Sequence, residues 1–113
     1  MKFLCLAYGD EAGWNSLSEK EKQEALAQDA KIRDRGNLMS AVKTTVTSVK
    51  NWDGHLEVSN ESLAGAKLLL AGFSVIEAEN VDEIVKLVSN TPCARAKGFI
   101  EIRPFWNPGE DGA

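Results

Sequence analysis

Two aspartates, Asp10 and Asp29, lie at positions where their carboxyl groups could contact a ligand and exchange a proton with it. Asp10 directly follows the apolar run at residues 2–8, and a loop carboxylate at a strand end is well placed to line a cleft. It is equally suited to forming a turn. Asp29 falls close to the apolar stripe of a predicted helix, four residues before Arg33. This spacing indicates either an ion pair facing a cleft, where the carboxylate orients a ligand, or an ordinary surface pair worth a few tenths of a kcal/mol.

Other common catalytic arrangements find little support. His55 is the only histidine, and the preceding Asp53-Gly54 turn signal places it at a solvated hairpin tip. Cys5 and Cys93 form no CxxC motif and have no neighbouring histidine, so we interpret them as small buried thiols. The sequence contains no dinucleotide, phosphate-loop, nucleophile-elbow or zinc-protease motif. We therefore expect neither a metal nor a cofactor.

The composition favours one globular domain. The chain has 113 residues, of which 43% are hydrophobic, and a net charge of −4. No basic stripe is present, which disfavours nucleic-acid binding, and no apolar run approaches the roughly 20 residues that cross a bilayer. We expect a cytoplasmic protein that does not bind membranes, with one domain over residues 1–105 and a mobile tail over 106–113.

The hydrophobic pattern predicts an α+β fold. Ser18 and Glu21 form a capping box before a helix over residues 19–34, and Asn80 caps a second main helix. In the first helix, Leu26 and Ala30 are the clear members of the predicted apolar stripe, and Ala25, Ala27 and Ile32 lie at its margins. Residues 60–70 favour a short helix by propensity. Strands are predicted over residues 2–8, 38–42, 44–52, 55–58, 72–78 and 98–103.

This order is β-α-β, a hairpin, then β-α-β, which is the ferredoxin-like βαββαβ pattern with an inserted β-hairpin. A parallel doubly wound sheet is the alternative. The central hairpin and the short chain argue against it.

Several segments resemble YCII-related proteins, in the branch called the DGPF-domain family. The matching segments span roughly residues 1–105, and their order and spacing carry the resemblance. They are KFLCLAYGDE at 2–11, LSEKE at 17–21, LAGF at 70–73, IEA at 76–78, PCAR at 92–95 and GFIEIRP at 98–104.

The branch's signature, Asp-Gly-Pro-Phe-Ala-Glu, is degenerate here. The matching positions read NESLAG at 60–65, so both carboxylates are lost. Asn60 cannot titrate, Glu61 is a weak substitute one residue along, and Lys67 keeps the expected residue type. Ligand contacts are expected from Asn60, Lys67 and Tyr8, and also from Asp10 and Arg33. The weak catalytic candidates are Asp10, Asp29 and Glu61.

The resemblance implies a dimeric α+β barrel, in which two ferredoxin-like subunits pair through their sheet faces and enclose clefts between sheet and helices. Relatives include isomerases, monooxygenases, a dehydrochlorinase and many proteins without known activity, so the fold does not fix the function. We expect a homodimer that binds a small organic molecule without established catalysis. The alternative is an enzyme that catalyses proton transfer or elimination on such a molecule.

Overall fold

The computed structural model describes residues 1–65 and 67–106. These residues form ten elements in chain order. They are β1 (Lys2–Gly9), α1 (Glu11–Asn15), α2 (Glu19–Asp34), β2 (Leu38–Ala41), β3 (Ser48–Trp52), β4 (His55–Ser59), β5 (Leu69–Glu77), α3 (Val81–Val88), α4 (Pro92–Arg95) and β6 (Phe99–Pro104).

Four strands form an antiparallel sheet in the order β2-β5-β1-β6. The first and third strands of the βαββαβ sequence occupy its centre, which is the ferredoxin-like arrangement and confirms the predicted fold class. β1 and β5 pair along their whole lengths, with one register shift between Ala7 and Tyr8. β3 and β4 form the separate hairpin between β2 and β5.

The long helices cover one face of the sheet. The core between them contains Phe3 and Cys5 of β1, Ile32 of α2, Ile76 of β5 and Ile84 of α3. The predicted caps are present, because the side chains of both Ser18 and Asn80 accept a backbone N–H three residues on. Burial of these apolar side chains is the main force holding the helices to the sheet.

The opposite face of the sheet carries no helix. We call it the open face, and its apolar side chains are Leu4, Leu6, Tyr8, Leu38, Phe73, Val75 and Phe99. They lie opposite one another across the strands, and the rings of Tyr8 and Phe99 stack with centroids 4.8 Å apart. An ion pair of 3.1 Å between Glu101 and Arg103 lies on the same face of the edge strand β6.

The β3–β4 hairpin is amphipathic. The residues Val49, Leu56 and Val58 share one face and remain between 61% and 66% exposed. On the other face, Lys50 pairs with Glu57 at 3.2 Å. A two-stranded hairpin is marginally stable alone, so we expect its apolar face to pack against another protein surface.

Residues 60–70 do not form the predicted short helix. Where they are described they are irregular up to residue 68, and Leu69 and Leu70 begin β5 by pairing with Gly9 and Tyr8. Strand pairing along β1 therefore overrides the helix propensity of these residues.

The buried face of α2 also differs from the expectation. Leu26 is 51% exposed and Ala30 is only partly buried, whereas Ala25 and Ile32 are fully buried. The buried face thus follows residues 25, 28, 29 and 32, which is helical spacing, and two of these four are polar.

Candidate functional site

The main cleft opens between the helix-covered face of the sheet and helices α2 and α4. Its volume is about 210 Å³. Many of the residues that line it on the strands are small, namely Cys5, Ala7, Ser40, Ala41, Ala71, Gly72 and Ser74. Space is left here because these side chains do not fill the layer between sheet and helices.

Gly72 also brings the edge strand close. A Cβ atom on Gly72 would lie 2.8 Å from the carbonyl oxygen of Ser40 on β2. The two strands pair here, with Ser40 opposite Phe73 and Ala41 opposite Gly72. Glycine is therefore required for the edge strand to reach the position where it closes one side of the cleft.

Asp29 is the acidic residue of the main cleft. Burial raises the pKa of its carboxyl group above the ordinary value, and the nearby positive charge of Arg33 acts in the opposite direction. No hydrogen bond or salt bridge engages the Asp29 carboxyl within the described part of the chain. Arg33 instead directs its Nη1 atom to the Met39 sulfur at 3.6 Å. The carboxyl group is thus available to a ligand.

Two thiols and two hydroxyl groups belong to residues that line the same cleft. Burial raises the pKa of the Cys5 thiol, which Ser74 hydrogen-bonds. Burial and then the charge of Asp29 raise the pKa of the Cys93 thiol. The Thr91 hydroxyl donates to the carbonyl of Val88 at 2.5 Å. Both cysteines are therefore protonated at neutral pH and are poor nucleophiles in this state.

A second cavity of about 290 Å³ adjoins the first, since Ala71, Pro92 and Cys93 line both. Asp10 lies on its wall and caps α1, because its carboxylate accepts the Gly13 N–H at 2.8 Å. The structure therefore gives Asp10 a definite structural role beside a cavity.

The remaining predicted site residues do not converge on the main cleft. Tyr8 belongs to the open face and also lines a cavity at the base of the hairpin. Asn60, Glu61 and Lys67 are exposed on the segment between β4 and β5. Arg33 is exposed beside Asp29.

Sequence reasoning missed most of the cleft lining. Ser74 lies on β5, whereas Thr91 and Cys93 lie at the start of α4. Both elements are distant from Asp29 in the sequence, and no short motif links them to it. The one available signal was a carboxylate on the buried face of α2, which led to Asp29.

Metal binding finds no preformed site here. Within residues 1–65 and 67–106, no three histidine, cysteine, aspartate or glutamate side chains cluster closely enough to hold an ion.

In the described part of the chain, no helix has the length and apolar character that a bilayer span requires.

The sheet order, the helices on one face and the cleft beneath α2 define a ferredoxin-like α+β protein with a ligand-sized cavity. The sequence matches the YCII-related domain over residues 1–107, and the chain belongs to the YCII-related family.

One solved structure with a similar chain trace is 5-chloro-2-hydroxyhydroquinone dehydrochlorinase from Burkholderia phenoliruptrix AC1100, in complex with 2,5-dihydroxybenzoquinone. The two share 15% sequence identity over 94% of each chain, with a TM-score of 0.48. No protein with a curated description matches this sequence significantly.

Proposed function

We propose that this protein binds a small organic molecule in the main cleft. The observation that carries the proposal is the Asp29 carboxyl group, which is partly buried, has a raised pKa and forms no hydrogen bond or salt bridge with a described residue. A carboxyl group placed in this way loses part of its hydration without a hydrogen-bond partner inside the protein. A bound molecule that hydrogen-bonds it would supply that partner.

The dimensions of the cleft support a small ligand. At about 210 Å³ it exceeds the roughly 150 Å³ cavity that holds benzene, and it is smaller than the roughly 300–1,000 Å³ that drug-sized ligands occupy. Its walls are mostly apolar, with a few polar groups that can fix orientation, which is the usual composition of such sites.

Titration of benzyl alcohol into ¹⁵N-labelled protein tests the proposal. We expect saturable chemical-shift changes at the backbone amides of Asp29, Ser74 and Thr91. The variant Ala41→Leu narrows the cleft from its exposed edge strand and should abolish them. Ala27→Leu adds the same side chain to an exposed position of α2 outside the lining, and should leave them unchanged. Shifts that survive Ala41→Leu would contradict binding in the cleft.

Proton transfer is the second candidate function. The raised pKa of Asp29 favours it, because a general acid or base works best when its pKa lies near the working pH. The test is deuterium incorporation next to the carbonyl group of acetophenone in D₂O, followed by ¹H NMR. Incorporation that Asp29→Asn abolishes would establish catalysis. Equal rates with and without the protein would leave binding alone for this class of ketone.

We further propose that two copies pair through the open face. The support is physical, since the open face exposes a continuous apolar surface and the apolar face of the hairpin is likewise uncovered. Exposed patches of this kind mark interaction sites in soluble proteins. A second copy supplies a surface of the same shape and chemistry on its own open face, as a two-fold interface requires.

A further inference from the structure

We infer that the main cleft takes an uncharged, mostly apolar molecule with one hydrogen-bonding group for Asp29, and that it rejects carboxylate and phosphate anions. The inference rests on the proposed function, because it specifies the class of ligand for the same cleft.

The first argument is the set of charged groups. Among the described residues that line the cleft, Asp29 is the only acid, and there is no lysine, arginine or histidine. Buried anions in proteins need cationic or converging N–H donors to replace lost hydration. Here an anion would instead meet the negative charge of Asp29.

The second argument concerns hydrogen-bond donors. The hydroxyl proton of Thr91 is donated to the carbonyl of Val88 at 2.5 Å. The hydroxyl group of Ser74 interacts with the Cys5 thiol. These side chains can still accept a hydrogen bond, but they offer an anion no free donor in this arrangement.

The start of α4 does not supply the missing donors. This helix has only four residues, and Pro92 at its beginning has no N–H to donate. The Thr91 side chain makes no capping bond to the helix. The Asp29 charge also acts on the adjacent Cys93, so the local potential there is unfavourable to an anion.

A cation is disfavoured for a different reason. An ammonium group needs several hydrogen-bond acceptors around it, and Asp29 supplies the only carboxyl group among the described residues that line the cleft. Arg33, the positive charge that acts on Asp29, would also repel a cation at the rim. With an uncharged ligand the carboxyl group can donate or accept a hydrogen bond according to its protonation, and no unpaired charge is buried.

Three probes of similar shape test the inference, namely benzyl alcohol, benzoate and benzylammonium, titrated at pH 7 into ¹⁵N-labelled protein. We expect benzyl alcohol to bind at least about tenfold more tightly than benzoate, a conservative figure for like charges a few ångströms apart. Benzylammonium should also be weaker than benzyl alcohol. Equal or tighter binding of either ion in the cleft would overturn the inference.

Two variants assign the effect to Asp29. Asp29→Asn removes the charge with little change in shape, and should bring the affinities for benzoate and benzyl alcohol to within about threefold of each other. Asp34→Asn removes the same charge from an exposed position of α2 outside the lining, and should leave the preference intact. If Asp34→Asn reduced the preference as much, the overall negative charge rather than the cleft would be responsible.

The outcomes separate the two proposals. If none of the three probes gives saturable shifts at Asp29, Ser74 and Thr91, the protein does not bind small molecules of this size in the cleft, and the proposed function fails. If an ion gives such shifts at least as strongly as benzyl alcohol, the cleft is a binding site but its ligand class is wrong.

Discussion

Replacement of Val75 by lysine should convert a dimer of this protein to monomers. Val75 lies near the centre of the open face, opposite Leu4 on one neighbouring strand and Leu38 on the other. It is already half-buried by those neighbours. The substitution therefore places a charge in the interface we propose, while the helix-covered core on the other face is untouched.

The size of the open face sets how sensitive the dimer should be. Four strands about 4.8 Å apart and on average about seven residues long, at roughly 3.3 Å per residue, span roughly 430 Å². Stable interfaces bury about 800 Å² per partner. The open face alone is therefore small, and the hairpin face with Val49, Leu56 and Val58 is the apolar surface available to extend it.

The expected loss follows from these dimensions. Full burial of a valine side chain contributes about 1.5–3 kcal/mol. At most about a third of the Val75 side chain is still exposed, so it gains roughly 0.5–1 kcal/mol on association, or about 1–2 kcal/mol for the two copies. Desolvation of two lysine ammonium groups costs at least about as much again. A total of about 3 kcal/mol raises the dimer Kd more than a hundredfold.

Sedimentation-velocity analysis between about 1 and 100 μM spans the range in which such a change would show. Leu26→Lys is the matched control, since Leu26 is an exposed apolar residue of α2 that does not belong to the open face. Circular dichroism confirms that both variants are folded. Wild-type protein that is monomeric at 100 μM would refute the reasoning, and so would a Val75→Lys protein whose Kd equals that of Leu26→Lys.

Three further substitutions test the packing and electrostatics of the cleft and of the approach to β6. The raised pKa of Asp29 means that the folded protein holds a proton more tightly than the unfolded chain. The free energy of unfolding should therefore fall as pH rises from the ordinary aspartate pKa through the raised value. Urea denaturation should show that Asp29→Asn removes this decline and is the more stable protein at neutral pH. Gly98→Ala should lower the free energy of unfolding by at least about 2 kcal/mol, because the added Cβ would overlap the Tyr8 carbonyl oxygen; a smaller loss in urea denaturation would mean that β6 shifts freely. Thr91→Val should cost about 1 kcal/mol by removing the buried hydrogen bond to the Val88 carbonyl, and an unchanged urea midpoint would show that this bond contributes nothing net.

Local chemistry made much of the fold predictable. Ser18 and Glu21 satisfy the first N–H groups of α2, and Asp53-Gly54 closes the hairpin, where both residues adopt positive φ. Such signals act over three or four residues, so they are legible in the sequence. They place helix starts and turns correctly without knowledge of the tertiary structure.

The wrong predictions fall where contacts between residues distant in the sequence determine the secondary structure. The helix expected over residues 60–70 follows local propensity, whereas pairing with β1 makes Leu69 and Leu70 strand residues. The short helix α1 is not among the elements that the sequence pattern predicts. Its cap by Asp10 and the close contact of Gly13 with Ala96 hold five residues in a helix, too few for a helix to persist alone.

The observed buried face of α2 differs from the predicted one for a reason that concerns the candidate site. Gln28 and Asp29 share that face with Ala25 and Ile32. A prediction that follows only the apolar residues therefore centres on a neighbouring face of the helix. Gln28 has a structural explanation, because its side-chain amide donates to the Leu87 carbonyl at 2.7 Å and ties α2 to α3. Asp29 has no such partner in the described structure.

The exception at Asp29 coincides with a second departure from ordinary core packing. The strands that line the same cleft carry small residues, including Ala71, Gly72 and Ser74, where larger apolar residues would bury more surface and add stability. A carboxyl group without a hydrogen-bond partner lowers stability, and so does a loosely packed layer between sheet and helices. Together they form one cavity with one hydrogen-bonding group in it. This combination adds no stability to the subunit, whereas it is what recognition of a small molecule requires.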